Sequence, residues 1–242
     1  MTELKGKAAL VTGGSRGMGA AIAMALAEAG ADVALTYAAS PEKAQAVARQ
    51  IEAKGRRALA IQADSADAAA VTASVDEAAE AFGRLDILVA NAGITTAGNS
   101  LEEIDRMLAV NTRAPYLAAL TAEKHMKDGG RIITIGSCLG EAVRMPGITL
   151  YSMSKAAITG MTRGLARDLG PRGITVNVVQ PGPLDTDMNP AAGPDAEFQR
   201  GLTALGRYGR AEEVAAMVAF LAGPRGAYIT GAQIAVDGGT NA

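Results

Sequence analysis

Apolar residues along this chain fall into short bounded runs that alternate with longer stretches of helical spacing. Residues 8–12, 32–37, 58–62, 85–90, 131–135, 174–179 and 233–236 read as strands. Most are apolar at nearly every position, as a strand covered on both faces requires. Between them the spacing predicts helices over 16–29, 41–54, 67–82, about 101–126, about 150–169 and 211–221. Gly30 closes the first helix, and Pro41 suits the first turn of the second. From Pro181 to about Leu205 the pattern breaks: the segment is rich in Pro, Gly and Asp and reads as a long loop, a lid over about 183–205.

Strict βαβα alternation implies an α/β fold with a parallel sheet of about seven strands, helices on both faces and right-handed crossovers. No linker, repeat or low-complexity tract divides residues 1–242, so one domain is expected. Half of the chain is hydrophobic (49%) but only 3% is aromatic, so Ala, Val, Leu, Ile and Met must build the core. A net charge of −2 offers no basic footprint for nucleic acid and no polybasic patch for a membrane. The N-terminus enters a strand-like run at once, without the apolar stretch of a signal peptide. The apolar runs fall far short of the ~20 residues of a membrane span. The single cysteine, Cys138, excludes an intrachain disulfide and suits a reducing compartment. Together these features predict a cytoplasmic protein.

In a doubly wound sheet, ligands bind beyond the carboxyl ends of the strands, where strand order reverses. Thr12-Gly13-Gly14-Ser15-Arg16-Gly17-Met18-Gly19 lies at such an end, between the first strand and its helix. Gly13, Gly17 and Gly19 allow a tight turn and close approach of backbone to phosphate, and the helix N-terminus favours negative charge. This is a Rossmann-type dinucleotide site with the spacing G-x-x-x-G-x-G. An NAD enzyme usually carries an acid at the end of strand two. Here that stretch reads Thr36-Tyr37-Ala38-Ala39-Ser40. Arg16 can reach a 2′-phosphate as a charge-assisted donor. Both features favour NADP(H), with NAD(H) as the alternative.

Tyr151 and Lys155 stand four residues apart, on one face of a predicted helix and about 6 Å apart along its axis. A free tyrosine titrates near ~10. A neighbouring ammonium and an oxidised nicotinamide should both lower that value, giving a group that can donate a proton to a forming alkoxide. Ser137, just past strand five, can hydrogen-bond the same substrate oxygen. Lys155 can also reach the nicotinamide ribose.

With Asn91-Ala92-Gly93, Asn111, Pro181-Gly182 and Val236-Asp237-Gly238-Gly239 added in the same order, the chain resembles the short-chain dehydrogenase/reductases over its whole length. The resemblance implies proton transfer by Tyr151, substrate contact by Ser137, ribose contact by Lys155 and a water held by Asn111 that links the lysine to solvent. It implies cofactor contacts at Gly13, Ser15, Arg16, Gly17, Met18, Gly19, Tyr37, Asp64, Ser65, Asn91, Gly93, Tyr151, Lys155, Pro181, Gly182 and Thr186. Asp64 would meet the adenine amine, and Asn91 would steady the central strands. A homotetramer is implied, with contacts near Ile229 and Thr230. The gap between Ser137 and Tyr151 is one residue longer than the commonest family spacing, so the 141–147 connection should shape the substrate mouth in its own way.

Residues 172–179 look most like those of 3-oxoacyl-carrier-protein reductases. Such enzymes present basic patches to an acidic carrier, and Arg172 fits one of them. Asp128 opposes a carrier protein at the other, though Lys124 and Lys127 could compensate. The expected partner is a small carbonyl or alcohol substrate. The expected reaction is NADPH-dependent reduction of a ketone or 3-oxoacyl-type carbonyl to a secondary alcohol. An NAD-linked dehydrogenase of a sugar, polyol or cyclic alcohol is the alternative. His125 reads as a surface or interface residue, Cys138 as small packing beside the site, and no His/Cys cluster suggests a metal. Phe198, Leu202 and Leu205 either line the pocket or close the lid on the protein.

Overall fold

The computed structural model describes residues 3–96 and 98–242. Seven parallel strands form one sheet in the order β3-β2-β1-β4-β5-β6-β7. They are β1 (Ala8–Val11), β2 (Asp32–Tyr37), β3 (Ala58–Gln62), β4 (Ile87–Ala90), β5 (Arg131–Ile135), β6 (Thr175–Pro181) and β7 (Gln233–Val236). Strand order reverses between β1 and β4, which pair through Ala9–Ile87, Leu10–Leu88 and Val11–Val89.

Because side chains alternate across a strand, neighbouring residues feed opposite cores. Val11, Val89 and Ile133 face α1 (Gly17–Glu28), α2 (Pro41–Glu52) and α8 (Ala211–Ala222), where Ile22, Leu26, Ile51, Val214 and Val218 are fully buried. Leu10, Leu88 and Ile132 face α3 (Ala68–Phe82), α5 (Ala114–His125) and α6 (Thr149–Leu169). Val214, Val218 and Leu221 belong to the first core, Val75, Ala118 and Leu165 to the second. Two apolar layers on one sheet explain why the strands read as continuous hydrophobic runs.

Two elements of the fold depart from the sequence expectations. The long helix at about 101–126 is two helices, α4 (Leu101–Leu108) and α5, joined by a π-helical turn over Ala109–Arg113. The lid is not a plain loop: it carries a short helix, α7 (Ala196–Leu202), and is tied to the turn before α8 by a bridge between Leu184 and Gly209. No helix among the described residues is long and apolar enough to cross a membrane.

Candidate active site

The turn after β1 is held from both sides. Thr36 Oγ1 accepts from the Gly13 N–H at 3.0 Å, and the Asn91 amide donates to the carbonyls of Thr12 (2.9 Å) and Gly13 (3.1 Å). Thr12 Oγ1 accepts in return from the N–H groups of Asn91 and Ala92. Gly13 and Gly17 have φ of +65° and +52°, the left-handed region that glycine adopts without strain. A Cβ on Gly19 would collide with the Gly13 carbonyl oxygen. No side chain caps α1, so the N–H groups of its first turn face the cleft with the positive end of the helix. These features fit a bound pyrophosphate.

The cleft encloses about 460 Å³ and runs from this turn, past the ends of β2 and β4, to Ser137, Tyr151 and Lys155. Of the predicted cofactor and catalytic residues, all line it except Asn111. Asn111 lies behind the wall, in the π-helical turn, and its side chain is committed to protein. Its Nδ2 donates to the Ile94 carbonyl (2.9 Å) and Ser154 Oγ (3.1 Å) and touches Met107 Sδ, while its Oδ1 accepts from the Ile94 N–H (2.9 Å). The wider π turn brings this amide to the chain beyond β4 and to α6 together. Thr112 Oγ1 donates to the Ser154 carbonyl, and Ser154 Oγ donates to the Tyr151 carbonyl. Ser154, fully buried, was not singled out from the sequence; its place between Tyr151 and Lys155 was the available signal.

Lys155 is 5% exposed, and its Nζ donates to the Ile135 carbonyl at 3.0 Å. Burial pulls its pKa down to about 8, so the ammonium persists at neutral pH and is lost in mild base. The lysine's share of the expected acidification of Tyr151 is not what this geometry produces. Burial pushes the phenol up, the Ser137 hydroxyl opposes that, and the Cys138 thiol adds to it. The Lys155 ammonium lies 5.9 Å from the Tyr151 ring centre and is turned to the Ile135 carbonyl. The Tyr151 phenol therefore carries its proton at neutral pH. The Cys138 thiol is buried and pushed up to about 11, first by burial and then by Asp237, which makes it a poor nucleophile.

Several cleft residues escaped the sequence reading because they are recognisable only by contact. Arg106 of α4 reaches Asp64 at 3.4 Å, and both line the cleft. In the lid, the Asn189 and Gln199 amides bond each other in both directions. Leu139, Met145, Met188 and Leu202 add apolar side chains to the lining of the cleft. Leu202 of α7 thus faces the cleft, whereas Phe198 and Leu205 are exposed. Arg172, expected on a docking surface, is spent within the protein: its guanidinium bonds the Glu123 carboxylate at 2.6 Å and the carbonyls of Glu123 and Met126. His125 pairs with Asp76 at 2.6 Å, between α5 and α3, and does not line the cleft.

Comparison with known proteins agrees with this architecture. A family described as enoyl-(acyl carrier protein) reductase matches residues 13–241. A cyclic-di-GMP-binding biofilm dispersal mediator protein of Escherichia coli is 48% identical over 242 residues, covering 98% of each chain. A 3-oxoacyl-[acyl-carrier-protein] reductase of Staphylococcus aureus is 44% identical over 241 residues, covering 96% of this chain and 97% of its own. A short chain dehydrogenase from Burkholderia cenocepacia, crystallised in complex with NADP, superposes with a TM-score of 0.98 at 59% identity, covering 99% of this chain and all of that one. The chain belongs to the short-chain dehydrogenase/reductase family and is an oxidoreductase.

Proposed function

We propose that this protein is an NADPH-dependent carbonyl reductase, reversible as a secondary-alcohol dehydrogenase. The observation that carries the reading is the meeting of Ser137, Tyr151 and Lys155 at one end of a cleft whose other end is an uncapped helix N-terminus with no acid at the close of β2. NADPH, when bound, supplies the hydride; the chain supplies everything else. Tyr151 hands its phenolic proton to the developing alkoxide, and Ser137 donates a hydrogen bond to the same oxygen. Lys155 would hold the nicotinamide ribose, and it keeps a positive charge 5.9 Å from the Tyr151 ring centre. Asn111 works at one remove, fixing the Ile94 backbone and α6, and the water assigned to it by resemblance would sit between its turn and Lys155.

The neighbour crystallised with NADP and the position of Arg16 in the glycine turn support NADP(H) over NAD(H). Arg16, Tyr37, Asp64 and Ser65 would hold the adenosine end. Gly93, Pro181, Gly182 and Thr186 would hold the nicotinamide half. The apolar lining favours an uncharged hydrophobic ketone. A carrier-bound thioester is disfavoured, because Arg172 is already paired and Asp128 lies 3.8 Å from it. We place the protein in the cytoplasm as a homotetramer, consistent with fully exposed Tyr228 and half-exposed β7.

A second reading follows from the Escherichia coli relative, whose name states cyclic-di-GMP binding. A dinucleotide with two phosphates would compete for the same turn. Incubating the protein with NADPH and a panel of cyclic ketones, β-ketoesters, acyl thioesters and sugars tests the first reading. Turnover is expected on the hydrophobic ketones, faster with NADPH than with NADH. No turnover on any class, with cyclic-di-GMP displacing NADPH, would favour the second.

A further inference from the structure

Two cations meet one carboxylate at the outer rim of the cleft. Lys43 Nζ donates to Asp187 Oδ2 at 3.3 Å, and Arg16 Nη1 lies 3.6 Å from the same oxygen. The three come from separate stretches: the turn after β1, the first turn of α2, and the lid. Arg16 stands at the N-cap of α1, without capping it, and Lys43 is the third residue of α2. A helix N-terminus carries roughly half a positive charge, so it disfavours a cation in its first turn. Glu42 offsets the α2 end but forms no ion pair with either cation among the described residues.

The exposure of these side chains decides what the cluster is for. All three are more than half exposed (57–59%), and pairs in that setting contribute only ~0–1 kcal/mol to folding. Two cations therefore converge on a single monoanion, an excess of positive charge that a dianion would balance better. Arg16 and Asp187 line the cleft beside Tyr37, Ala39 and Ser40, at the acid-free end of β2, where the 2′ position of the adenosine ribose would lie.

We propose that Lys43 is a specificity-determining residue that, with Arg16, reads the 2′-phosphate of NADP(H), and that Asp187 is the lid's own competing anion for this cation pair. The inference rests on the NADPH reading above and goes beyond it in adding Lys43 and giving the lid a part in cofactor choice. The phosphate carries more charge and more acceptor oxygens than the carboxylate, so it displaces Asp187 from both cations. NADH has no group that can do so and leaves the Lys43–Asp187 pair in place. Cofactor selection and the position of the lid are thereby linked.

Calorimetric titration of the full-length protein with NADPH, NADH, 2′,5′-ADP and 5′-AMP at low salt tests this without turnover. Lys43→Gln should weaken NADPH and 2′,5′-ADP about threefold to fivefold and move NADH and 5′-AMP less than about 1.5-fold. Asp187→Asn should tighten NADPH and 2′,5′-ADP about threefold and leave NADH unchanged, and in the double variant that gain should shrink. Unchanged NADPH affinity in Lys43→Gln, equal losses for NADH, or no gain in Asp187→Asn would overturn the proposal. A wild-type protein that binds 5′-AMP as tightly as 2′,5′-ADP would overturn the NADPH reading and this inference together. A wild type that discriminates, with variants that do not change, removes the inference alone.

Discussion

Keeping Lys155 charged inside the protein works against folding. Its pKa is about 8 in the folded protein against an ordinary 10.5, so between those values the unfolded chain binds the additional proton. Stability therefore rises with pH from about 8 to about 10.5, and below pH 8 the folded state carries the full penalty of roughly 3 kcal/mol. Lys155→Met removes the charge and keeps most of the volume. At pH 7 it should stabilise the protein by about 2 kcal/mol, once the lost bond to Ile135 is set against the gain, and should abolish the rise above pH 8. Turnover should fall at least about a hundredfold. Thermal unfolding followed between pH 6 and 10 checks both the sign and the slope; a variant less stable than wild type at pH 7 would contradict this account of the lysine. The same titration predicts that the reductive rate of the wild type declines as pH rises through about 8.

Among the elements, the π-helical turn between α4 and α5 carries the most consequence for the site. It presents Asn111 to the Ile94 backbone and Ser154 at once, so α6 enters the cleft from a fixed direction. Asn111→Leu leaves the partly buried Ile94 N–H and carbonyl without their side-chain partners and should lower stability by about 1–3 kcal/mol, read from the denaturant midpoint at constant slope. A shift under about 0.5 kcal/mol would show that the turn holds itself. The strands and most helices were legible because burial on two faces leaves a plain imprint on sequence. The π turn was not, since one extra residue in a helical stretch barely disturbs the apolar spacing. Nor was α7, whose seven residues lie among Pro, Gly and Asp and present Phe198 to solvent. The glycine turn and the Tyr151–Lys155 pair could be read because their chemistry needs fixed residue types at fixed spacing. Their electrostatics could not: the direction in which Tyr151 shifts depends on how deeply it is set and on where the ammonium points. The pairing of Arg172 with Glu123 and the meeting of Lys43 with Asp187 span 49 and 144 residues, and no local pattern announces either.

At the scale of the whole molecule, the site is a consequence of the sheet. The reversal between β1 and β4 opens the crevice, β5 and α6 bring in Ser137, Tyr151 and Lys155, and the lid after β6 covers the other side. Because the chain is poor in aromatics, alanine and branched aliphatic side chains fill both layers. The surface leaves Leu101, Tyr116, Met153 and Tyr228 exposed, which fits burial between subunits. Light scattering on the purified protein should give four times the 24.5 kDa chain mass; a monomer at micromolar concentration would contradict the proposed assembly.

In the proposed mechanism Tyr151 is the proton donor of a hydride-transfer site whose cofactor half is built independently of it. Tyr151→Phe removes one hydroxyl and leaves the glycine turn, Arg16 and Lys155 in place. The most direct measurement pairs NADPH affinity with single-turnover reduction of the best ketone in this variant. Binding should stay within about threefold of wild type, and the chemical step should slow by at least about a thousandfold. A near-normal rate with intact binding would contradict it.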